Sequence, residues 1–259
     1  MYKIPATTVF LGKNLIFMPE CHSTSDHLLL LCQQRDLAEG SLVITSHQTA
    51  GRGQRGNSWE AQAGKNLTFS ILLKPTFLSV VQQFFLTIVV SLGIRDLLTE
   101  ETGIKVQIKW PNDILMDDLK ICGVLIENQI LGQKLSGSVI GIGLNVNQLF
   151  FSVPTATSLA LVTGQNYDLS GLLTRLLSHI EQRYLELREG KLQKLRDQYL
   201  DALYLRDKRH RFNSERGEFE GVIRGIDEIG RLVIETPSGP RSFDIKEIRY
   251  TGLNPDQIN

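Results

Sequence analysis

The sequence predicts an α+β fold in which a mixed, mostly antiparallel central sheet is flanked by helices and followed by a small β module. Successive strands between residues 106 and 147 have no helices between them, which excludes a strictly alternating parallel sheet. After residue 205, the helical pattern gives way to short strands and turn residues. We therefore predict a large domain over residues 1–205 and a small β module over residues 206–259.

The first part of the chain predicts a strand at 14–20 and a helix at 23–40. Ser23 or Thr24 can cap this helix, and Gly40 can end it. Strands are expected at 42–48 and 66–74, and a long helix at 79–101. The apolar stretch FFLTIVVSLGI within that helix is shorter than the ~20 residues that span a bilayer, so we interpret it as buried.

The middle of the chain predicts a strand at 106–110 that breaks at Pro111, and then a hairpin turning at Asp117-Asp118. Its second strand covers 120–131, and a further turn leads into a strand at 134–147. Residues 155–205 are expected to be mainly helical. The strands predicted after them are typical of a small SH3-like β-barrel: 208–213, 218–227, 231–235, 241–245 and 246–250.

The composition excludes several classes of protein. The 28 basic and 28 acidic residues balance, whereas dedicated nucleic-acid binders usually carry a basic excess. The sequence predicts neither a signal peptide nor a membrane span. Cys21, Cys32 and Cys122 form neither a disulfide framework nor a C-x-x-C pair. We expect a cytoplasmic protein with no structural metal and no nucleic-acid or membrane partner.

The segment AGRGQRGNSW, residues 50–59, matches the G-x-G-x-x-G pattern of dinucleotide-binding turns. Such a turn needs a helix beginning among the glycines and an acidic residue about 20 positions later. Both features are missing, which disfavours a nicotinamide oxidoreductase. Arg52 and Arg55 could instead fork onto carboxylate or phosphate oxygens, and Trp59 could stack on a ring. A mobile surface loop with solvated arginines is the alternative.

Three further segments carry chemical groups. KWPNDIL (109–115) places a cation, an aromatic ring, an amide and a carboxylate at a turn, although Asn112 and Asp113 could merely satisfy their own backbone. KICGVLIE (120–127) begins a strand with Lys120, which could neutralise an anion or be an ordinary edge lysine. GIGLNVN (141–147) interleaves glycines in a strand, a pattern that often marks close approach by a ligand.

Taken in order, these segments resemble the biotin–protein ligases. STSD (23–26), QTAGRGQRGNSW (48–59), KWPNDIL, KICGVLIE, GIGLNVN and ATSL (156–159) carry the resemblance, which spans roughly residues 10–205. It implies a class II synthetase-like biotin–lipoate ligase fold and a catalytic domain that binds biotin and ATP. The family activates biotin with ATP as biotinyl-5′-AMP. It then transfers the biotinyl group to a lysine of a biotin carboxyl carrier domain.

The resemblance also assigns roles to residues. The catalytic residues would be Lys120, Arg52 and Asp113: two cations between the biotin carboxylate and the phosphate, and a base or orienter for the carrier lysine. The implied biotin-binding residues are Ser23, Thr24, Gln48, Gly51, Arg52, Lys120 and Gly123. The implied nucleotide-binding residues are Arg55, Trp59, Lys109, Asn112 and Asn145. Mg²⁺ would accompany ATP, held largely by phosphates and water.

Two departures from the family pattern stand out. Many members carry arginine where this chain has Gln54 and Asn57, so the loop holds less positive charge around an adenylate. The chain also shows no N-terminal helix-turn-helix, so we expect a form without a DNA-binding domain. Homodimers occur in the family, and a homodimer is possible here.

Two other functions stay open at this point. A lipoate–protein ligase would share the fold and the adenylate chemistry. A non-enzymatic module that senses biotin or biotinyl-AMP would bind the ligand without turnover. Calorimetry with biotin and lipoate separates the first from a biotin ligase, and pyrophosphate release separates the second.

Overall fold

The computed structural model describes residues 2–251, apart from the side chain of Arg55. Its larger sheet has seven strands in the order β1-β2-β3-β7-β6-β5-β4. Strands β1 and β2 are parallel, and the other neighbouring pairs are antiparallel, which confirms the predicted mixed sheet. The strands are β1 (Leu15–Cys21), β2 (Leu42–Gln48), β3 (Leu67–Leu73), β4 (Val106–Lys109), β5 (Asp113–Met116), β6 (Leu119–Leu131) and β7 (Lys134–Leu144).

Strand β3 lies near the middle of this sheet, and all seven of its residues are buried. Phe69 and Ile71 belong to the main apolar core, whereas Leu72 packs in a second cluster with Leu28 of the first helix. Successive side chains of a strand point to opposite faces. Both faces of the sheet are therefore covered, which positions the strands that carry the site.

Between residues 2 and 251, five helices pack around the sheet: α1 (Thr24–Gln34), α2 (Phe84–Thr102), α3 (Leu159–Thr163), α4 (Leu169–Arg188) and α5 (Leu192–Ala202). The segment Val80–Thr102 is long and apolar enough for a membrane span. Ten residues of α2 are nevertheless buried in the core, as the sequence predicts. The helix begins at Phe84, later than predicted, because Val80–Gln82 form a separate 3₁₀ turn.

Helix α1 is shorter than the predicted 23–40. Ser23 caps its N-terminus, but Arg35 is already extended at φ −156°. Leu37 then enters the second apolar cluster, and Gly40 turns at φ +85° to start β2. Because Leu37 is buried and the chain returns to pair with β1, the helix ends at Gln34, six residues before the predicted stop at Gly40.

The C-terminal part forms a separate five-stranded antiparallel sheet in the order β11-β10-β9-β8-β12. Its strands are β8 (Arg209–Ser214), β9 (Gly217–Ile226), β10 (Leu232–Thr236), β11 (Gly239–Phe243) and β12 (Ile248–Thr251). Within residues 2–251, β11 pairs with β10 and β12 with β8, and these two edges do not pair with each other. The predicted small C-terminal β module is confirmed as an antiparallel sheet, and within these residues it does not close into a barrel. The edge strands are only five and four residues long.

The two sheets share one apolar core. Phe212 and Leu232 of the C-terminal sheet belong to the same buried cluster as the helices and strands of the larger part. Trp110 Nε1 donates to the Gly230 carbonyl at 2.9 Å, and Tyr204 N donates to the Ile108 carbonyl at 2.9 Å. The predicted division at 205/206 falls between α5 and β8 and stays a prediction.

Candidate active site

A cavity of about 440 Å³ opens between the two sheets. Its walls come from the start of α1, the glycine loop, the β4–β5 turn, strands β6 and β7, and residues 245–250 of the C-terminal part. Most residues that the sequence singles out lie in this wall, although they come from distant parts of the chain. They are Ser23, Thr24, Gln48, Arg52, Trp59, Lys109, Asn112, Asp113, Lys120 and Gly123.

Hydroxyl and amide groups form one end of the cavity. Gln48 Oε1 accepts hydrogen bonds from Thr24 N at 2.8 Å and from Thr24 Oγ1 at 3.1 Å. Ser70 Oγ lies 2.8 Å from Thr24 Oγ1 and 3.0 Å from Ser25 Oγ. Ser23 accepts from Asp26 N, so its hydroxyl also caps α1. This end presents preorganised donors and acceptors suited to a polar, uncharged ring system.

The glycine loop folds as a short hairpin beside these groups. Gly53 N donates to the Asn57 carbonyl at 2.7 Å, and Trp59 N donates to the Gly51 carbonyl at 2.9 Å. Only a three-residue 3₁₀ turn, Gln54–Gly56, lies among the glycines, and no helix begins before β3. The missing helix confirms that the segment is not a dinucleotide-binding turn.

Arg52 lies among carboxylates. Its guanidinium contacts both oxygens of Glu127, at 2.5 and 3.1 Å, and Asp26 Oδ1 at 2.7 Å. Arg55 was predicted beside the nucleotide, and its side chain lies outside the described residues.

The indole ring of Trp59 packs against Gly143 of β7 and Gly123 of β6. A Cβ added at Gly143 would lie 2.3 Å from Trp59 Cε2, and one at Gly123 would lie 3.2 Å from Trp59 Cζ3. Lys120 Nζ is 5.8 Å from the centre of the ring. Trp59 Nε1 is buried without a hydrogen-bond partner among the described residues. The strand glycines are therefore needed to admit an aromatic ring at the cavity wall.

Two lysines and one carboxylate form the charged part of the cavity. Lys120 Nζ lies 2.8 Å from Asp113 Oδ1. Burial lowers the pKa of Lys109 below that of an ordinary lysine; Asp113 opposes this shift, and the charge of Lys120 adds to it. With the ammonium groups of Lys109 and Lys120 on its wall, this part of the cavity is suited to an anion.

Backbone contacts hold Lys120 in place. Its N–H donates to the Thr155 carbonyl at 2.7 Å, and its carbonyl accepts from Thr157 N at 2.9 Å. Asn145 is buried behind this strand, where its Nδ2 donates to the Thr157 carbonyl at 3.0 Å. Neither Asn145 nor Gly51 lines the cavity. Gly51 instead lies where a Cβ would come within 2.4 Å of the Trp59 carbonyl oxygen.

The β4–β5 turn holds Asn112 and Asp113 at the cavity. Asn112 Nδ2 donates to the Val124 carbonyl, and its own carbonyl accepts from Val124 N. These bonds attach the turn to β6, so Asp113 faces Lys120 from the neighbouring strand.

Several cavity residues are absent from the sequence-based assignment. Ser25 lies within the STSD segment, and Gly143 within the glycine pattern of β7, so local signals existed for both. Ser70 does not line the cavity itself but contacts Thr24 and Ser25, and it carries no such signal. The C-terminal residues Arg249 and Tyr250 also line the cavity. Lys109 Nζ lies 5.1 Å from the centre of the Tyr250 ring, and the Tyr250 hydroxyl is buried without a hydrogen-bond partner among the described residues.

Comparisons with known proteins agree with this arrangement. Residues 18–145 match the model of the biotin/lipoate A/B protein ligase family, and residues 211–248 match that of the biotin protein ligase C terminal domain. The bifunctional ligase/repressor BirA of Bacillus subtilis is 32% identical over 241 residues, which cover 90% of this chain and 72% of that protein. The biotin--[acetyl-CoA-carboxylase] ligase of Mycobacterium tuberculosis is 30% identical over 86% of this chain and 84% of its own.

A solved structure shows the same fold. The biotin protein ligase from Aquifex aeolicus in complex with biotin and ATP superposes with a TM-score of 0.78 at 28% identity. The match covers 92% of this chain and all of that one. Together with the extent of the identity to the Bacillus protein, these similarities show that the chain belongs to the biotin protein ligase family, a family of ligase enzymes.

Proposed function

We propose that this protein is an ATP-dependent biotin–protein ligase. It activates biotin as biotinyl-5′-AMP with release of pyrophosphate, and then transfers the biotinyl group to a lysine of a biotin carboxyl carrier domain. The observation that carries the proposal is a single cavity that joins a polar uncharged end, a pair of lysines and an aromatic wall. Each part matches one portion of biotinyl-AMP.

The polar end suits the ureido group of biotin, which both donates and accepts hydrogen bonds. Thr24 and Gln48 are already oriented by their mutual hydrogen bonds, so little ordering is needed when the ring binds. Ser23 and Gly123 line the same cavity. Gly51 acts one step away, because its lack of a side chain leaves room for the Gln48 amide and the Trp59 backbone.

The lysines would promote adenylate formation. In this step a biotin carboxylate oxygen attacks the α-phosphorus of ATP, and the bond to the pyrophosphate leaving group breaks. Two anions must approach each other, and preorganised cations in a site shielded from water lower that barrier. In this proposal Lys120 and Lys109 supply these cations. Burial lowers the pKa of Lys109, and a bound phosphate would favour its charged form.

The nucleotide would lie toward the loop and the C-terminal sheet. Trp59 offers its indole for stacking on adenine, and Asn112 lies on the same wall. Asn145 acts through the segment 155–157 that supports Lys120, because its own side chain is buried behind the cavity. Residues 245–250 place Tyr250 beside Lys109, which gives the C-terminal part a share in the site.

ATP enters this proposal as its Mg²⁺ complex. Magnesium bound to nucleotides keeps most of its ligands from phosphate and water. Within the described part of the chain, no group of three or more histidine, cysteine or acidic side chains forms a metal site. In this proposal Lys109 and Lys120 would hold the complex through its phosphates.

Asp113 serves the second half-reaction in this proposal. The carrier lysine must lose a proton before it attacks the acyl-adenylate carbonyl and displaces AMP. Asp113 Oδ1 contacts Lys120 and is only 18% exposed at its side chain. It orients Lys120 in the first step and offers a carboxylate to the incoming amine in the second. The carrier, a possible homodimer and the cytoplasmic location expected from the unpaired cysteines stay predictions.

The decisive experiment adds biotin, ATP and Mg²⁺ to the purified chain and measures pyrophosphate release, followed by labelling of a carrier domain. We expect both activities in the wild type, and a loss on the order of 10²-fold or more in Lys120→Ala. Lys105→Ala removes an exposed lysine outside the cavity and serves as the control. Tight binding without pyrophosphate release would indicate a sensing module, and activity with lipoate alone would indicate a lipoate ligase.

A further inference from the structure

We infer that Arg52, Asp26 and Glu127 form a clasp that anchors the glycine loop over the cavity, and that Arg52 is a positioning residue. This inference rests on the proposed function, because it names what keeps the adenylate site covered. It differs from the role expected for Arg52 from the sequence, which is to neutralise the reacting anions.

The clasp is defined by three contacts on one guanidinium group. Both oxygens of Glu127 face it in a bidentate pair, and Asp26 Oδ1 lies 2.7 Å from Nη2. The planar fork of arginine suits this arrangement, which fixes direction as well as distance. The three side chains are between 31% and 53% exposed, so the clasp closes at the rim of the cavity and can open.

The two carboxylates come from the elements that build the site. Asp26 lies in the first turn of α1, directly after Ser23 and Thr24. Glu127 lies on β6, which also carries Lys120 and Gly123. The clasp therefore joins the loop both to the polar end of the cavity and to the strand of the reactive lysine.

Charge argues against Arg52 as the anion-binding cation. One guanidinium facing two carboxylates leaves surplus negative charge in the clasp. A carboxylate or phosphate approaching Arg52 would meet repulsion from Asp26 and Glu127. In the cavity, by contrast, the ammonium group of Lys120 lies 2.8 Å from Asp113, and Lys109 lines the same wall. The reacting anions belong there.

The hairpin connects Arg52 to Trp59, so the contacts of Arg52 also hold Trp59 in position. Arg52 and Ser58 face each other across the hairpin, and Trp59 N donates to the Gly51 carbonyl. Fixing Arg52 therefore fixes the indole beside Gly143. Gln54 and Asn57, which also line the cavity, are neutral. The anchored loop would then retain the adenylate by covering it, because Gln54 and Asn57 contribute no charge.

The first arm of the test uses the ligand-free protein and does not depend on the proposed function. Amide hydrogen exchange of residues 50–59 is measured in the wild type, Glu127→Gln and Asp26→Asn. We expect exchange about three- to tenfold faster in each variant, the range of a partly exposed charge-assisted pair. Glu101→Gln breaks a 2.7 Å pair with Arg175 away from the cavity and should leave the loop unchanged. Unchanged loop exchange in both clasp variants overturns the inference.

The second arm measures how fast labelled biotinyl-AMP leaves the protein and how fast the bound adenylate reacts with a carrier lysine. We expect Glu127→Gln to speed release about three- to tenfold with little effect on the transfer rate. Arg52→Lys should behave like Arg52→Ala, because lysine lacks the fork. In a double-mutant cycle, Arg52→Ala should increase the release rate only slightly further once Glu127 has been replaced.

The opposite pattern would assign Arg52 to the anions. In that case Arg52→Lys would retain activity, and Glu127→Gln would leave release unchanged while Arg52→Ala lost adenylate formation. A wild type that makes no adenylate contradicts the proposed function, whereas the exchange data still decide whether the clasp anchors the loop.

Discussion

Gly143→Ala should disable the cavity by adding a single methyl group. The new Cβ would lie 2.3, 2.5 and 2.7 Å from Cε2, Cζ2 and Nε1 of Trp59. Non-bonded carbon atoms rest about 3.5 Å or more apart, so the indole must retreat by about 1 Å. Misplacing a group that orients substrate by about 1 Å can cost on the order of 10²-fold in rate. If the ring cannot retreat, the overpacked site instead costs about 1–3 kcal/mol of stability.

Two measurements follow the displacement. Pyrophosphate release with biotin and ATP measures the activity of the site. Acrylamide quenching of tryptophan fluorescence measures how exposed the indole has become. The chain has two tryptophans, and Trp110 is only 4% exposed, so increased quenching should come from Trp59. Gly137→Ala is the control on the same strand, because its Cβ meets only the flexible end of Gln129. Wild-type release together with unchanged quenching in Gly143→Ala would refute the packing argument.

Three further outcomes are expected. Because burial lowers the pKa of Lys109, its charge is lost at a lower pH than for an ordinary lysine. Pyrophosphate release should therefore fall on the alkaline side, and Lys109→Arg should move that decline to higher pH; an identical profile would contradict the role. Asp113→Asn should impair carrier labelling more than biotin binding, as a single-turnover assay beside calorimetry can show. Glu181 accepts backbone N–H bonds from Val9, Phe10 and Leu11 at 2.6–2.8 Å. Glu181→Gln should lower the free energy of unfolding in urea by about 2–4 kcal/mol, and a change near zero would show that these bonds contribute little.

The sequence predicts most of the secondary structure, because the residues that favour strands, turns and helix ends act over a few neighbouring positions. The β-branched run at 42–48 becomes β2 with the same limits, and the turn at Asp117-Asp118 adopts φ of 49° and 64° in a two-residue hairpin. Helix α1 shows where such signals fail. Its stop at Gly40 was plausible by itself, but burial of Leu37 and the pairing of β2 with β1 end the helix earlier. Contacts with other elements outweigh the local signal.

The candidate site likewise combines features that the sequence predicts with features that only the packing of the elements decides. Lys120 and Asp113 stand out in short motifs, and the structure brings them to 2.8 Å. The small C-terminal β module was expected from strand count and turns, but the count alone cannot show whether its two edge strands meet. Asn145 stands out equally in sequence, yet it lies behind the cavity wall and supports Lys120 through Thr157. Which side of a strand faces a ligand depends on the neighbouring strands.

The sequence by itself therefore determined the residue types of the site, the order of its segments and the class of fold, because glycines, turn residues and apolar periodicity act over a few positions. Tertiary structure alone decided which groups touch. Arg52 meets Asp26 and Glu127, residues 26 and 75 positions away, and residues 245–250 complete a cavity that begins at Ser23. Such contacts depend on how sheets and helices pack in space. The sequence alone indicates an anion-binding arginine at position 52, whereas in the structure two carboxylates already contact it.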